Sequence, residues 1–176
     1  MAFKHRILIT GAASGIGLAL TRHFATGGHR VVACDLQQAL LDDLRQDLPE
    51  VRTLAYDLSD AVQIDAAFAT LGDDVPDVLI NNAGLQHVAP LEEFPAEKWQ
   101  LLIAVMLTGT ALLTRAALPS MRRHNFGRIV NIGSIHALVA PPFKSAYVAA
   151  KHGLVGFSKT VALETHDADI TIKPGE

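Results

Sequence analysis

Apolar residues fall along this chain in short unbroken runs separated by longer stretches with helical spacing. Arg6-Ile-Leu-Ile-Thr10, Arg30-Val-Val-Ala-Cys34, Arg52-Thr-Leu-Ala-Tyr56, Val78-Leu-Ile80, Arg128-Ile-Val-Asn-Ile132 and Ile170-Thr-Ile172 are the runs. Short runs without polar alternation are expected of strands buried on both faces of a parallel sheet. The segments between them, Leu18–Thr26, Gln38–Leu48, Ala61–Leu71, Pro95–Met121 and the stretch ending near Glu164, carry the helical pattern. Gly27-Gly28 stops the first helix, Pro49 ends the second, and Ser59-Asp60 caps the third. Strands alternating with helices predict an α/β fold, a doubly wound parallel sheet in a single domain over residues 1–176. The Pro95–Met121 helix, about 40 Å long at 1.5 Å per residue, is apolar on more than one face, with Gly109 permitting a close contact midway. A helix of that kind packs on its own sheet and on a second chain, which predicts a homo-oligomer, dimer or tetramer.

Composition narrows the class. A chain of 176 residues, 49% apolar, suits one domain with a real core. A net charge of −3 and the lack of a basic stripe argue against nucleic acid or an anionic membrane as partner. Arg122-Arg123-His124 reads as a solvated helix C-terminus, where cations suit the dipole. The single cysteine, Cys34, ends an apolar run and reads as a buried small residue. With no disulfide framework and no signal peptide, a cytoplasmic protein is expected. No run approaches the roughly 18 apolar residues of a membrane span. The eight histidines form no ligand-spaced cluster, so no metal is expected.

Candidate chemistry lies where the runs end. Gly11-Ala-Ala-Ser14-Gly15-Ile16-Gly17 follows the first run and opens the first helix. Glycines let a backbone approach a diphosphate, and a helix N-terminus offers it unpaired N–H groups. The same loop would also serve as a plain tight turn. Asp35 follows the second run, eighteen residues after Gly17. A carboxylate there accepts hydrogen bonds from both adenosine ribose hydroxyls and repels a 2′-phosphate, which favours NAD over NADP. It would alternatively cap the Gln37–Leu48 helix. Asp57-Leu58 and Asn81-Asn82-Ala83-Gly84 lie at the carboxyl ends of later strands, the ligand edge of an open α/β sheet. The asparagines would stabilise the turn or face a ribose.

The last constellation is Tyr147-x-x-x-Lys151, one helical turn apart on one face, with Ser134 thirteen residues upstream. An ammonium beside a phenol favours the phenolate, which makes a proton donor and acceptor usable near neutral pH. Taken alone, this spacing occurs in many unrelated helices.

Together, Thr10-Gly-x3-Gly15-Ile-Gly17, Asp35, Asp57-Leu58, Asn81-Asn-Ala-Gly84, Ser134 and Tyr147-x3-Lys151 resemble the short-chain dehydrogenase/reductase family over residues 5 to about 172. The resemblance implies a Rossmann-like fold and NAD as cofactor. It implies that Thr10, Gly11, Ser14, Gly15, Ile16, Gly17, Asp35, Asp57, Leu58, Asn82, Ala83, Gly84, Tyr147 and Lys151 hold that cofactor. Tyr147 would exchange the substrate proton, Ser134 would bond the reacting oxygen, and Lys151 would hold the nicotinamide ribose. Gln86, His136 and Lys144, with Ser134 and Tyr147, resemble the substrate set of the bacterial D-3-hydroxybutyrate dehydrogenases within that family. An amide, an imidazole and an ammonium are the donors a short carboxylate needs. His136 and Lys144 would otherwise be surface residues of a loop.

The resulting expectation is NAD-dependent interconversion of D-3-hydroxybutyrate, a small hydroxy acid, and acetoacetate. The alternatives are a reductase of another small oxo compound, such as a 3-oxoacyl thioester, and a nucleotide-binding fragment without turnover. Two departures from the family pattern bear on this. Met106 stands where the family often carries a catalytic Asn that holds a proton-relay water. The chain ends Ile172-Lys173-Pro174-Gly175-Glu176, so the substrate lid and a seventh strand are expected to be absent.

Overall fold

Each apolar run forms a strand and each helix-period segment a helix in the computed structural model, which describes residues 4–174. In chain order the elements are β1 (Arg6–Thr10), α1 (Gly15–Thr26), β2 (Arg30–Asp35), α2 (Gln38–Asp47), β3 (Arg52–Ala55), α3 (Ala61–Ala69) and β4 (Val78–Asn81). They continue with α4 (Ala96–Ile103), α5 (Thr110–Arg123), β5 (Gly127–Asn131), α6 (Ser145–Glu164) and β6 (Ile170–Pro174). The strands form one six-stranded sheet in the order β3-β2-β1-β4-β5-β6, every pair parallel. This is the expected doubly wound, Rossmann-like α/β fold. The winding reverses between β1 and β4, and an open sheet of this type binds ligands at that point, beyond its carboxyl edge.

Both sheet faces are covered, which is why the strands read as continuous apolar runs. Ile7, Ile9, Val31, Ala33 and Ile80 point to one face and pack with Leu18 and Phe24 of α1 and Leu41 and Leu44 of α2. Leu8, Val32, Leu79, Ile129 and Ile172 point to the other and meet Ile64 of α3, Leu113, Ala117 and Met121 of α5, and Val161 of α6. Each fully buried Leu or Ile contributes about 1.5–3 kcal/mol through removal from water. The expected cap of α3 is present: the Asp60 carboxylate accepts hydrogen bonds from the N–H groups of Val62 and Gln63.

The long helix expected over Pro95–Met121 is continuous, but not uniform. Its centre, Ala104–Gly109, is a π-helical turn between α4 and α5. Two contacts accompany the extra residue in the turn. The Thr110 hydroxyl donates to the Met106 carbonyl at 3.0 Å. Gly109 lies so close to the Leu58 carbonyl that a Cβ there would sit 2.7 Å from it. Apolar periodicity does not register such a local widening. By length and composition, the 28-residue helix Ala96–Arg123 is apolar enough to cross a bilayer. Polar residues punctuate it, so it holds no unbroken apolar run of that length. In this fold Leu113, Ala117 and Met121 pack on the sheet, and Leu102 and Met106 pack with Ala146 and Ala150 of α6. Pro174 ends β6, paired in register with Asn131.

Candidate active site

The glycine loop joins β1 to α1 at the reversal point. Gly11 and Gly15 adopt φ of 61° and 50°, the left-handed region that glycine enters without penalty. Gly17 has a different reason to be glycine: a Cβ there would sit 1.9 Å from the Gly11 carbonyl oxygen. Ser14 is the N-cap of α1, and its side chain makes no capping bond. The first N–H groups of α1 are therefore not consumed by a cap and suit an anion.

Two side chains bind this loop to the turn after β4. Thr10 Oγ1 accepts the N–H groups of Asn82 and Ala83, both at 3.0 Å. Asn82 Nδ2 donates back to the carbonyls of Thr10 and Gly11 at 3.0 and 3.2 Å. The Asn82 amide thus fastens the glycine loop, the turn-stabilising alternative. Asp35, at the end of β2, works similarly: Oδ2 accepts the Ala13 N–H and Oδ1 the Gln37 N–H, both at 3.1 Å. The N-cap of α2 is Gln37, so Asp35 braces the loop instead of capping that helix.

A cleft of about 450 Å³ opens beside these groups. Of the expected cofactor residues, Thr10, Gly11, Ser14, Asp35, Asp57, Leu58, Ala83 and Gly84 line it. Ile16 is exposed near its mouth and Gly17 is buried beneath the loop. The asparagine turn and strand ends were legible as such. Leu101 and Val105, on successive turns of the long helix, were not anticipated as cleft lining, nor were Tyr56 and Leu85. Their signal was only that helical spacing placed Leu101 and Val105 on one face.

Leu85 and Val105 also belong to the apolar cluster beneath Tyr147, built on Leu102, Met106, Ala146 and Ala150. The cleft wall therefore continues into the tyrosine site. Lys151 Nζ lies 5.7 Å from the Tyr147 ring centroid. It donates to the Ile132 carbonyl at 2.6 Å. Lys151 is only 6% exposed, and burial pulls its ammonium below the ordinary lysine range. The spacing Tyr-x-x-x-Lys thus does bring cation and phenol together on one helix face.

Ser134 starts a short turn after β5, where its Oγ accepts the His136 N–H at 3.2 Å. The His136 ring stands edge-on to Tyr147, centroids 6.1 Å apart and planes at 83°. Nδ1 of His136 is buried and has no hydrogen-bond partner, and the same holds for Ser145 Oγ at the start of α6. His136 is thus half-buried in its loop, with its ring beside the tyrosine. Lys144 is the half-buried residue before α6, and Gln86 is exposed in the loop after β4. The two loops are joined by the Ala89 N–H, which donates to the Phe143 carbonyl at 3.0 Å. Phe143 has φ of 66°, a left-handed conformation unusual for a bulky side chain, directly before Lys144. Among the described residues no His/Cys/Asp/Glu group is arranged to hold a metal ion.

Fold and site together define a Rossmann-like α/β domain with a glycine loop at the reversal point of its sheet and a Tyr147 and Lys151 pair on α6. Within that class, the chain belongs to the short-chain dehydrogenase family, whose model matches residues 5–174. Its relatives include the D-beta-hydroxybutyrate dehydrogenase of Cupriavidus necator, 42% identical over 93% of this chain and 66% of the relative. The protein of that name from Rhizobium meliloti is also 42% identical, over 94% of this chain and 67% of the relative. A 3-oxoacyl-[acyl-carrier-protein] reductase of Synechocystis is 34% identical, over 94% of this chain and 70% of the relative. A solved short-chain dehydrogenase from Streptomyces avermitilis superposes with a TM-score of 0.92 at 32% identity, covering 99% of this chain and 65% of that one. The chain spans about two thirds of the length of the curated relatives named first.

Proposed function

We propose that this chain carries the cofactor and catalytic groups of an NAD-dependent oxidoreductase that interconverts D-3-hydroxybutyrate and acetoacetate. The observation that carries the substrate is His136. Its ring stands edge-on to Tyr147 and its Nδ1 is buried without a partner, a donor or acceptor left free beside the place where a small polar substrate would sit. The residues fit a nicotinamide dinucleotide. The α1 N-terminus lacks a side-chain cap, and Gly11 and Gly15 hold the loop before it in left-handed backbone conformations, a combination that suits an anion. Asp35 in the cleft favours an unphosphorylated ribose, hence NAD over NADP. Gly11, Ser14, Gly15 and Ile16 would hold the diphosphate, Asp57 and Leu58 the adenine end, and Asn82, Ala83, Gly84, Tyr147 and Lys151 the nicotinamide half.

When bound, the nicotinamide supplies the hydride acceptor. The protein groups manage the rest. Tyr147, as phenolate, takes the proton of the substrate hydroxyl as the C–H bond at the same carbon breaks, leaving a carbonyl. Ser134 donates a hydrogen bond to that oxygen. The Lys151 ammonium stabilises the phenolate, and Gln86, His136 and Lys144 donate to the carboxylate. The outer faces of α5 and α6, lined by Leu118 and Phe157, are the surfaces through which we expect a homo-oligomer to form.

Purified protein incubated with NAD and D-3-hydroxybutyrate tests the proposal. The expected result is NADH formation that Tyr147→Phe abolishes, with NADP a poorer partner until Asp35 is replaced. NAD binding without NADH formation would leave only the non-catalytic reading. Turnover of 3-oxoacyl thioesters in preference to acetoacetate would move the substrate assignment to the reductases.

A further inference from the structure

Helix α6 meets its neighbours largely through small or aliphatic side chains: Ala146 and Ala150 cluster with Leu102 and Met106 of the long helix, and Val161 with Ile129 of β5 and Ile170 and Ile172 of β6. Such contacts are non-directional. They hold two elements together without choosing where along its axis the helix stops. Polar groups make that choice here.

Asn81 and Asn131 face each other in register on β4 and β5. Asn81 Nδ2 donates to Asn131 Oδ1 at 2.8 Å, and Asn131 Nδ2 donates to Ser158 Oγ at 2.9 Å. The Ser158 hydroxyl completes the chain by donating to the Leu154 carbonyl at 2.7 Å. All three bonds run in one direction, an arrangement in which each polarises the next. The three side chains are 5%, 0% and 1% exposed, so water offers little competition.

A second polar link, one residue beyond β5, is Lys151 Nζ on the Ile132 carbonyl. Ile132 directly follows Asn131, and Lys151 precedes Ser158 by seven residues. Seven residues are about two helical turns, which returns to the same face. The two links are therefore one above the other, and a helix that slips at Ser158 slips at Lys151.

We propose that Asn131 and Ser158 are positioning residues: their buried bond sets the register of α6 on β5 and so places the Lys151 ammonium on the Ile132 carbonyl beside Tyr147. The consequence for catalysis rests on the reading of Tyr147 and Lys151 given above; the register itself does not.

The test observes the Lys151 ammonium directly by proton–nitrogen NMR of the full chain, without cofactor or substrate. A buried, hydrogen-bonded ammonium exchanges its protons slowly enough to give a resonance at neutral pH, where exposed lysines lose theirs. Lys151→Arg identifies the signal. Ser158→Ala is expected to abolish or move it while the backbone spectrum stays folded, and Ser158→Thr, which keeps the hydroxyl, is expected to retain it. If Ser158→Ala does not fold, Ser158→Cys is read in the same way, since a thiol is a weak acceptor. A folded Ser158→Ala or Ser158→Cys protein with an unchanged Lys151 resonance overturns the proposal, as does a wild-type spectrum without that resonance. Because no turnover is needed, an inactive protein would count against the catalytic reading alone.

Discussion

Gly15 and Gly17 stand two residues apart in the same loop, yet the structure requires glycine at each for a different reason. Gly15 needs a positive φ of 50°, and a Cβ added there meets nothing within 4 Å. Its replacement by Ala therefore incurs only the left-handed backbone penalty, about 1–2 kcal/mol. Roughly 0.4–1 kcal/mol of that is offset by the stiffer unfolded chain. At Gly17 the new methyl would lie 1.9 Å from the Gly11 carbonyl oxygen and 2.7 Å from Asn82 Nδ2, where ordinary contact begins at 3.4 Å. The main chain of the loop has to retreat by about 1.5 Å, the difference between those two distances. That movement also breaks the Asn82 bond to Gly11. Overpacking of about 1–3 kcal/mol and a lost hydrogen bond of about 1 kcal/mol exceed the gain of about 1 kcal/mol from helix propensity. The expected net loss is about 1–3 kcal/mol for Gly17→Ala, toward the upper end because main chain has to move, against about 0–1.6 kcal/mol for Gly15→Ala. Urea unfolding followed by the single tryptophan, Trp99, measures both. With slopes of about 1–3 kcal/mol per M, the midpoint should fall by about 1 M or more for Gly17→Ala and distinctly less for Gly15→Ala. If Gly15→Ala is the more damaging variant, or if Gly17→Ala is neutral, the close packing of the loop against Asn82 is wrong.

Two further outcomes follow from buried titrating groups. The Cys34 thiol, 2% exposed, is pushed up to about 12 by burial. A disulfide reagent at mildly alkaline pH should find no reactive thiol in the native protein and one per chain in denaturant; prompt native labelling would contradict the packing of β2. Lys151 titrates below the ordinary lysine range because burial disfavours its charge. Between its depressed folded value and the ordinary one, the unfolded chain binds the extra proton, so stability rises with pH through that window and is lost as pH falls through the folded value. Unfolding midpoints of wild type and Lys151→Met, compared from neutral to alkaline pH, should show wild type gaining relative to the variant. A constant difference would mean that Lys151 is solvated.

Much was legible from local pattern alone. The continuous apolar runs required a doubly covered parallel sheet, and alternation with helices required the winding. Tyr147 and Lys151 were legible as neighbours because a helix places residues four apart on one face. The glycine loop was legible because it sits between a strand and a helix. Local pattern could not reveal the π-helical turn at Ala104–Gly109, since one extra residue in a turn leaves apolar spacing nearly unchanged. Nor could it reveal the contacts that Asp35, Asn82 and His136 make. Each depended on groups distant in the chain: Ala13 for Asp35, Thr10 for Asn82, Tyr147 for His136.

The sequence by itself therefore determined which elements form and in what order they wind, because strand and helix periodicities and turn chemistry act over a few residues. Tertiary structure alone decided which polar side chains brace the loops and which face the cleft. Asn81 and Asn82 illustrate this. They are adjacent and chemically identical, but strand alternation sends one into the core beside Asn131 and leaves the other against the glycine loop. A hydrogen bond needs a partner within about 3 Å, and for both residues that partner is supplied by a segment dozens of residues away, brought there only when the sheet closes.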